Sequence, residues 1–346
     1  MADSMKVGMY YSNRDVRVEE APVPEVGKGD VLIEVDACGI CGSDIMEWYR
    51  IKRAPLVLGH ELTGRVVEVG AGVTEFSPGD RVFATHHVPC DECSYCLRGY
   101  HTTCEVFQTE NNFSPGGFAQ YLKVSGRSVK KGMLKLPEEV AYQDGTFIEP
   151  LGTVVRGLRT ADLQPGDSVL VLGSGVIGLM HIKLAKALGA GRIIATDVHD
   201  FRLGAASRCG AEHVVHADKD LPTFVRDVND GKLIDKVIIS TGVLSAARQA
   251  LELVGKGGTV LFFAVPMPGE TIEIDFNPYW RDDIGFKTSY GAAPLDNLQA
   301  LELIRAGRVP VDDLVTHTLE LDEIGEGFRL ASAGTECLKV VVRPNG

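Results

Sequence analysis

Ser168-Val169-Leu170-Val171-Leu172-Gly173-Ser174-Gly175-Val176-Ile177-Gly178 decides the fold of this 346-residue chain. Its apolar residues run on without polar alternation, as in a strand buried on both faces of a sheet. The run then breaks into G-x-G-x-x-G and opens a helix expected over Val176–Leu188. Glycine alone is weak evidence in a chain with 39 of them, but a strand before and a helix after give the pattern a mechanism. Gly173 permits the tight turn. Gly175 lets backbone N–H groups around Val176 and Ile177 approach a pyrophosphate at the positive helix end, and Gly178 lets helix and strand pack closely. A second strand-like run, Arg192–Thr196, leads into Asp197, 19 residues beyond Gly178. A carboxylate there accepts hydrogen bonds from adenosine ribose hydroxyls and repels a 2′-phosphate, which favours NAD over NADP. Arg202, five residues on, could pair with a phosphate instead; beside Asp197 it reads as lying near the adenine end. The bland alternative is a glycine turn that binds nothing.

Outward from this motif the texture divides the chain. Downstream, Lys236–Ser240 and Thr259–Phe263 repeat the strand pattern with a helix, Ala246–Val254, between them. Such alternation implies right-handed crossovers and a doubly wound parallel sheet, an α/β architecture. Upstream, short alternating runs such as Val31–Val35 and Arg65–Val69 are broken by Gly, Pro and Asp, as in a β-rich domain. Two domains are expected at this length: a β-rich catalytic domain over 1–154, a nucleotide domain over 155–290, and a return to the first over 291–346. The return holds helices at Asn297–Ala306 and Glu323–Ala333 and a last strand at Leu338–Val342. A start at Met5 would leave the first four residues as a frayed tail.

Composition is that of an ordinary globular protein, 45% hydrophobic and 24% charged. A net charge of -12 argues against nucleic-acid and anionic-membrane partners. The longest apolar run, Val169–Met180, holds three glycines and is too short to span a bilayer. Cys90, Cys93, Cys96 and Cys104 place half of the eight cysteines within fifteen residues, as C-x2-C-x2-C-x7-C. This Pro-, Asp- and Gly-rich segment, 88–105, cannot bury enough apolar surface to order itself. Four thiolates around one tetrahedral Zn2+ would order it. A disulfide pair fits poorly, because Met1–Lys6 does not resemble a secretory signal. A bacterial iron–sulfur run would continue with three residues and Cys-Pro, whereas seven intervene here and Glu105 follows Cys104. A nucleic-acid zinc ribbon would want a basic surround. Clustered cysteines of this kind point to a reducing cytoplasm.

Three further residues are bland singly. Cys41 sits in Cys38-Gly39-Ile40-Cys41-Gly42-Ser43-Asp44, His60 in Gly59-His60-Glu61, and Glu149 in Phe147-Ile148-Glu149-Pro150-Leu151. Their order changes the reading. G-I-C-G-S-D, G-H-E, the four-cysteine lobe, E-P-L and G-x-G-x-x-G resemble, in sequence, the zinc-containing medium-chain alcohol dehydrogenases, and among them the sorbitol and threonine dehydrogenase branch. The resemblance runs from about residue 6 to 342.

That resemblance implies a GroES-like catalytic domain, a Rossmann domain, an active site in the cleft between them, and two Zn2+ per chain. It gives Cys41 and His60 to a catalytic zinc and puts Glu149 in the third ligand position. Glu61 matches a glutamate that binds the metal in some members and sits behind it in others. Three protein ligands would leave a position for substrate, where Zn2+ eases loss of the alcohol proton before hydride leaves for the nicotinamide. Ser43 matches the hydroxyl that passes the substrate proton outward. Met46 stands where many relatives carry a histidine, so that proton must leave through ribose hydroxyls and water, or through a glutamate near the metal. His86 and His87 read as hydrogen-bonded framework residues.

The expected reaction is NAD-dependent oxidation of a secondary alcohol on a polyol, cyclitol or sugar derivative. A β-hydroxy amino acid such as threonine is the nearest alternative. A non-catalytic NAD-binding or redox-sensing protein would not need an open zinc site, and a zinc-free quinone or enoyl reductase would lack Cys41, His60 and the lobe. Trp48-Tyr49-Arg50-Ile51-Lys52-Arg53 could receive an anionic group on the substrate; its bland reading is a solvated loop whose aromatics pack inward. Trp280 and Tyr290 are candidates to line the same pocket. The resemblance also implies a homo-oligomer, dimer or tetramer.

Overall fold

The structure is a computed structural model that describes residues 3–346. The chain forms two compact units. One holds the chain up to Gly152 together with Ala292–Gly346; the other is Thr153–Gly291.

In the first unit the strand Val31–Gly39 is the organiser. Its burial is nearly continuous, because it pairs antiparallel with Glu61–Val69, with Tyr121–Val124 and with the last strand, Lys339–Arg343. Two register shifts bend it, between Leu32 and Ile33 and between Val35 and Ala37, as strongly curved sheets require. The pairings bring Gly39 opposite both Glu61 and Val341. Residues about 300 positions apart in sequence are thereby made neighbours. Tyr10, Phe118 and Phe328, all fully buried, interlock beneath, with ring centroids 5.7 and 5.9 Å apart. The frayed tail expected over the first four residues ends sooner than supposed. Ser4 already pairs with Pro22, while Met1 and Ala2 lie outside the described residues.

The second unit is a six-stranded, wholly parallel sheet in the order His213–His216, Arg192–Asp197, Ser168–Leu172, Ile234–Ile239, Val254–Phe262, Gly285–Thr288. Strand order reverses beside Ser168–Leu172, and the carboxyl ends there form the crevice where open α/β sheets take ligands. The helix after the glycine turn spans Val176–Ala187 and is buried from Gly178 to Ala185. Boundaries expected from sequence hold to within a few residues: Leu244–Leu253, Pro294–Arg305 and Ile324–Ala333 are helices, and Lys339–Arg343 is the last strand. The helix Ile148–Thr160 was not foreseen. Glu149 and Pro150 lie in its first turn, where a missing N–H breaks no bond.

Candidate active site and metal centres

Local turns gather the four-cysteine lobe. Cys93 precedes the short helix Ser94–Leu97, and Cys104 precedes Glu105–Thr109. The sulfurs lie 3.9 Å (Cys90–Cys96), 3.5 Å (Cys93–Cys96) and 3.6 Å (Cys104–Cys90) apart. A tetrahedron of thiolates about 2.3 Å from a zinc has edges of about 3.8 Å, so the donors fit that ion without rearrangement. The four lobe cysteines are free thiols. Backbone N–H groups aim inward, Cys93 at Cys90 Sγ (3.3 Å) and Cys90 at Cys104 Sγ (3.4 Å). Against the burial that would raise it, this donation lowers Cys104 to about 6, while burial pushes Cys96 up to about 12. Phe107 closes the lobe from beneath, and Lys131 bonds Asp91 at 2.5 Å.

The second centre is assembled from distant segments. Cys41 follows the strand Val31–Gly39, and His60 immediately precedes Glu61–Val69. One donor atom each from Cys41, His60 and Glu61 lies within 4.8 Å of the others. Among the described residues, only this trio and the cysteine lobe form groups of three or more His, Cys, Asp or Glu donors so closely placed. Glu149 is not within that radius, yet it feels the same field. Burial, opposed by His60 and reinforced by Glu61, raises its carboxyl to about 7. Ser43 N–H donates to Cys41 Sγ at 3.4 Å.

Asp44, Arg50 and Lys339 complete the surroundings, and sequence reasoning assigned none of these contacts. Fully buried Asp44 accepts from Cys41 N at 3.1 Å and faces His60 Nδ1 at 3.5 Å. A carboxylate on the second ring nitrogen is the usual way to orient a metal-binding imidazole. Burial opposes protonation of His60, but Asp44 and Cys41 raise its pKa well above the histidine range. Lys339, 1% exposed, pairs with Glu61 and donates to the Ile40 carbonyl at 3.3 Å. Burial would lower its pKa, and the Glu61 charge outweighs that and raises it. The room for this pair comes from Gly39, where a Cβ would lie 2.5 Å from Glu61 Oε2 and 2.7 Å from Lys339 Cε. The signal for Lys339 was there to be found: a lysine opening the apolar strand Lys339–Arg343 is expensive to bury unless paired.

Arg50 turns inward, toward Ser43 and Asp44. Its Nε bonds the Ser43 carbonyl at 2.9 Å and its Nη2 bonds Ser43 Oγ at 3.0 Å. Tyr49 lies under both Arg50 and Arg53. His86 and His87 stack with ring centroids 3.6 Å apart. Burial holds His86 well below the usual range and His87 at about 4. The expected hydrogen bonding fails for His86 Nδ1, which is buried with no partner; ring packing holds it instead. Trp280, 80% exposed, lies on Phe276–Arg281, and Tyr290 is also exposed.

In the second unit Gly173 takes φ +94° and Gly175 caps the helix that follows. A Cβ on Gly178 would sit 2.0 Å from the Gly173 carbonyl, so only glycine allows that contact. Asp197, at the end of its strand, accepts from Ser174 N (2.8 Å), Val198 N (2.8 Å) and His199 N (3.0 Å). These fill three of a carboxylate's roughly four acceptor sites, so at most one remains for a ribose hydroxyl. Arg202 Nη1 lies 3.9 Å from it.

Comparison with known proteins agrees with this architecture. Residues 27–138 match the alcohol dehydrogenase GroES-like domain and residues 176–306 the zinc-binding dehydrogenase domain. A sorbitol dehydrogenase of Bacillus subtilis (strain 168) is 31% identical over 99% of this chain and 98% of its own. An L-threonine 3-dehydrogenase of Bacillus velezensis is 34% identical over 94% of this chain and 95% of its own. Among solved structures, a zinc-binding dehydrogenase from Sinorhizobium meliloti 1021 bound to NADP superposes with a TM-score of 0.88 at 28% identity, covering 99% of this chain and 100% of that one. The chain therefore belongs to the zinc-containing medium-chain alcohol dehydrogenase family, a class of GroES-like and Rossmann-like dehydrogenases. It is accordingly an oxidoreductase acting on alcohols.

Proposed function

We propose that the protein oxidises a secondary alcohol of a polyol, cyclitol or sugar derivative, with NAD as acceptor and two Zn2+ per chain. The observation that carries this is the convergence of Cys41, His60 and Glu61 donors within 4.8 Å, with the Ser43 backbone N–H donating to Cys41 Sγ. Zinc held there supplies a Lewis acid that eases ionisation of an alcohol, and NAD supplies the hydride acceptor. Cys41 and His60 hold the ion, with Glu61 or Glu149 as the third donor. Asp44 keeps His60 turned so that Nε2 is free for the metal. Lys339 neutralises Glu61 while Glu61 stands off the ion. Ser43 hydrogen-bonds the reacting oxygen and passes its proton on. In the nucleotide unit, N–H groups near Gly175, Val176 and Ile177 bind pyrophosphate, and the remaining acceptor site of Asp197 takes a ribose hydroxyl. The carboxylate supports NAD over NADP, with Arg202 beside it.

Mixed carboxylate and thiolate donors make a hard, exchangeable ligand set that suits oxygen-rich substrates. Among the described residues, no helix is long and apolar enough to cross a membrane. The free thiols of the clustered lobe cysteines support a reducing, cytoplasmic setting. The outermost parallel strand, Gly285–Thr288, and the exposed Phe276 and Trp280 support a homo-oligomer.

The test is NADH formation by zinc-loaded protein against polyols, inositols, sugar acids, sugar phosphates and threonine, with His60→Ala as control. One responsive class, at least about a thousand-fold weaker in the control, is the expected result. Full activity in His60→Ala would remove the metal assignment, and a response confined to threonine would replace the polyol reading.

A further inference from the structure

Met46 leaves the Ser43 hydroxyl without an imidazole neighbour, and the structure supplies a group of opposite capability. Ser43 Oγ accepts from Arg50 Nη2 at 3.0 Å, and the Ser43 carbonyl accepts from Arg50 Nε at 2.9 Å. The same Nη2 lies 3.4 Å from Asp44 Oδ1, the oxygen that faces His60 Nδ1. The Arg50 side chain is 14% exposed, and its guanidinium carbon sits 4.8 Å above the Tyr49 ring. Burial, an aromatic floor and a two-point grip on one residue fix this guanidinium far more closely than a solvent-exposed arginine.

A guanidinium has donors only and keeps its protons at working pH. An imidazole at this place could take the Ser43 proton; Arg50 cannot. Its donation fills one lone pair of Oγ, leaving the other lone pair and the single O–H for the reacting oxygen and for an outward water or ribose hydroxyl.

We infer that Arg50 is a positioning residue of the alcohol oxidation: it fixes the rotamer of the Ser43 hydroxyl toward the reacting oxygen and sets a positive charge beside the place where that oxygen becomes anionic. The inference rests on the dehydrogenase reading given above. In proton terms, the substrate O–H proton passes to Ser43 Oγ while the proton already on Ser43 leaves to water. The C–H bond breaks with both electrons as the hydride that the dinucleotide accepts, a C=O bond forms, and Arg50 stays protonated throughout. Proton exit is therefore directed away from Arg50.

A double-mutant cycle with Ser43→Ala and Arg50→Gln tests this. It is read on kcat and, separately, on the affinity of the NADH-loaded holoprotein for dimethylacetamide, an unreactive molecule whose carbonyl oxygen accepts where a ketone's would. Losing a charged donor on a reacting hydroxyl lowers kcat by about ten-fold or more. The KM for NAD should stay unchanged, and the alkaline rise of the pH–rate profile should move to higher pH. Arg50→Lys, which keeps the charge but not the fork, should recover part of the loss. Coupling is the central expectation: in a Ser43→Ala background, Arg50→Gln should add little in either readout. Multiplicative effects in the double variant would overturn the inference. So would loss of bound zinc in Arg50→Gln, which would put Arg50 to work on His60 through Asp44. If no alcohol is oxidised by the wild type, the functional reading falls on its own, while the amide cycle still returns coupling or additivity.

Discussion

The four-cysteine lobe and the Cys41–His60–Glu61 centre both gather metal donors, and they are built in opposite ways. The lobe takes its donors from fifteen consecutive positions, on turns that carry their own small core around Phe107. The second centre takes its donors from the ends of two strands, with a lysine 278 residues away from Glu61 to balance charge. Among the described residues, the lobe's sulfurs meet one another and backbone N–H groups. Around the second centre Asp44, Arg50 and Lys339 each compensate a buried charge. A closed site can be written locally because the ion itself balances the thiolates. An open site must stay stable while its ligands exchange, so the protein has to hold permanent counter-charges around it.

The sharpest way to break this comparison is to strip zinc with a strong chelator and follow amide hydrogen exchange. Protection over residues 90–107 should vanish, while that of Val31–Gly39 persists. An equal loss in both would mean that the lobe is not an independent, metal-ordered element. Next in size is Lys339→Met. Removing one partner of a buried pair costs about 3–5 kcal/mol, measurable by denaturant unfolding, and adding Glu61→Gln should return most of it. If Lys339→Met proves neutral, the counter-charge argument fails.

The nucleotide unit gives a metal-free control. His181 is fully buried there, its Nδ1 bonded to the Ile177 carbonyl at 3.0 Å, and burial lowers its pKa to about 4. The unfolded chain takes up a proton near pH 6.5 that the folded state refuses until about pH 4. Stability should therefore be whole above pH 6.5 and fall as pH drops through this window, by up to about 3 kcal/mol. Unfolding midpoints between pH 7 and 4 should lose this slope in His181→Leu; an unchanged slope would assign the acid sensitivity elsewhere. The smallest effect concerns the dinucleotide. Asp197→Ala frees three backbone N–H groups, so both cofactors should weaken, NAD more than NADP by about ten-fold. An unaltered ratio of kcat/KM values would remove Asp197 from cofactor choice.

Much of the fold was legible in the sequence wherever the signal was local. Ser168–Leu172 reads as a strand because apolar residues without alternation have few other stable placements. The helix Val176–Ala187 follows because the glycines before it fit one kind of turn. What escaped were side-chain contacts that no local pattern specifies, from Arg50 on Ser43 seven residues away to Lys339 on Glu61 across 278. Asp44 was quoted in a motif without a partner, Lys339 fell inside the expected strand Leu338–Val342 with no role assigned, and the bland reading of Arg50 left it in a solvated loop. Each is buried by a neighbour that the linear chain does not announce.

The sequence by itself determined the element order, the glycine turn, the spacing of the cysteine lobe and the family, because each depends on residues a few positions apart. Tertiary structure alone decided that Glu61 would share a buried ion pair with Lys339 and that Arg50 would grip Ser43. It also left Asp197 with a single acceptor site to spare. The first of these follows from strand register: setting Gly39 against both Glu61 and Val341 brings the Glu61 carboxylate to Lys339. A charge removed from water must find its opposite or lose its proton.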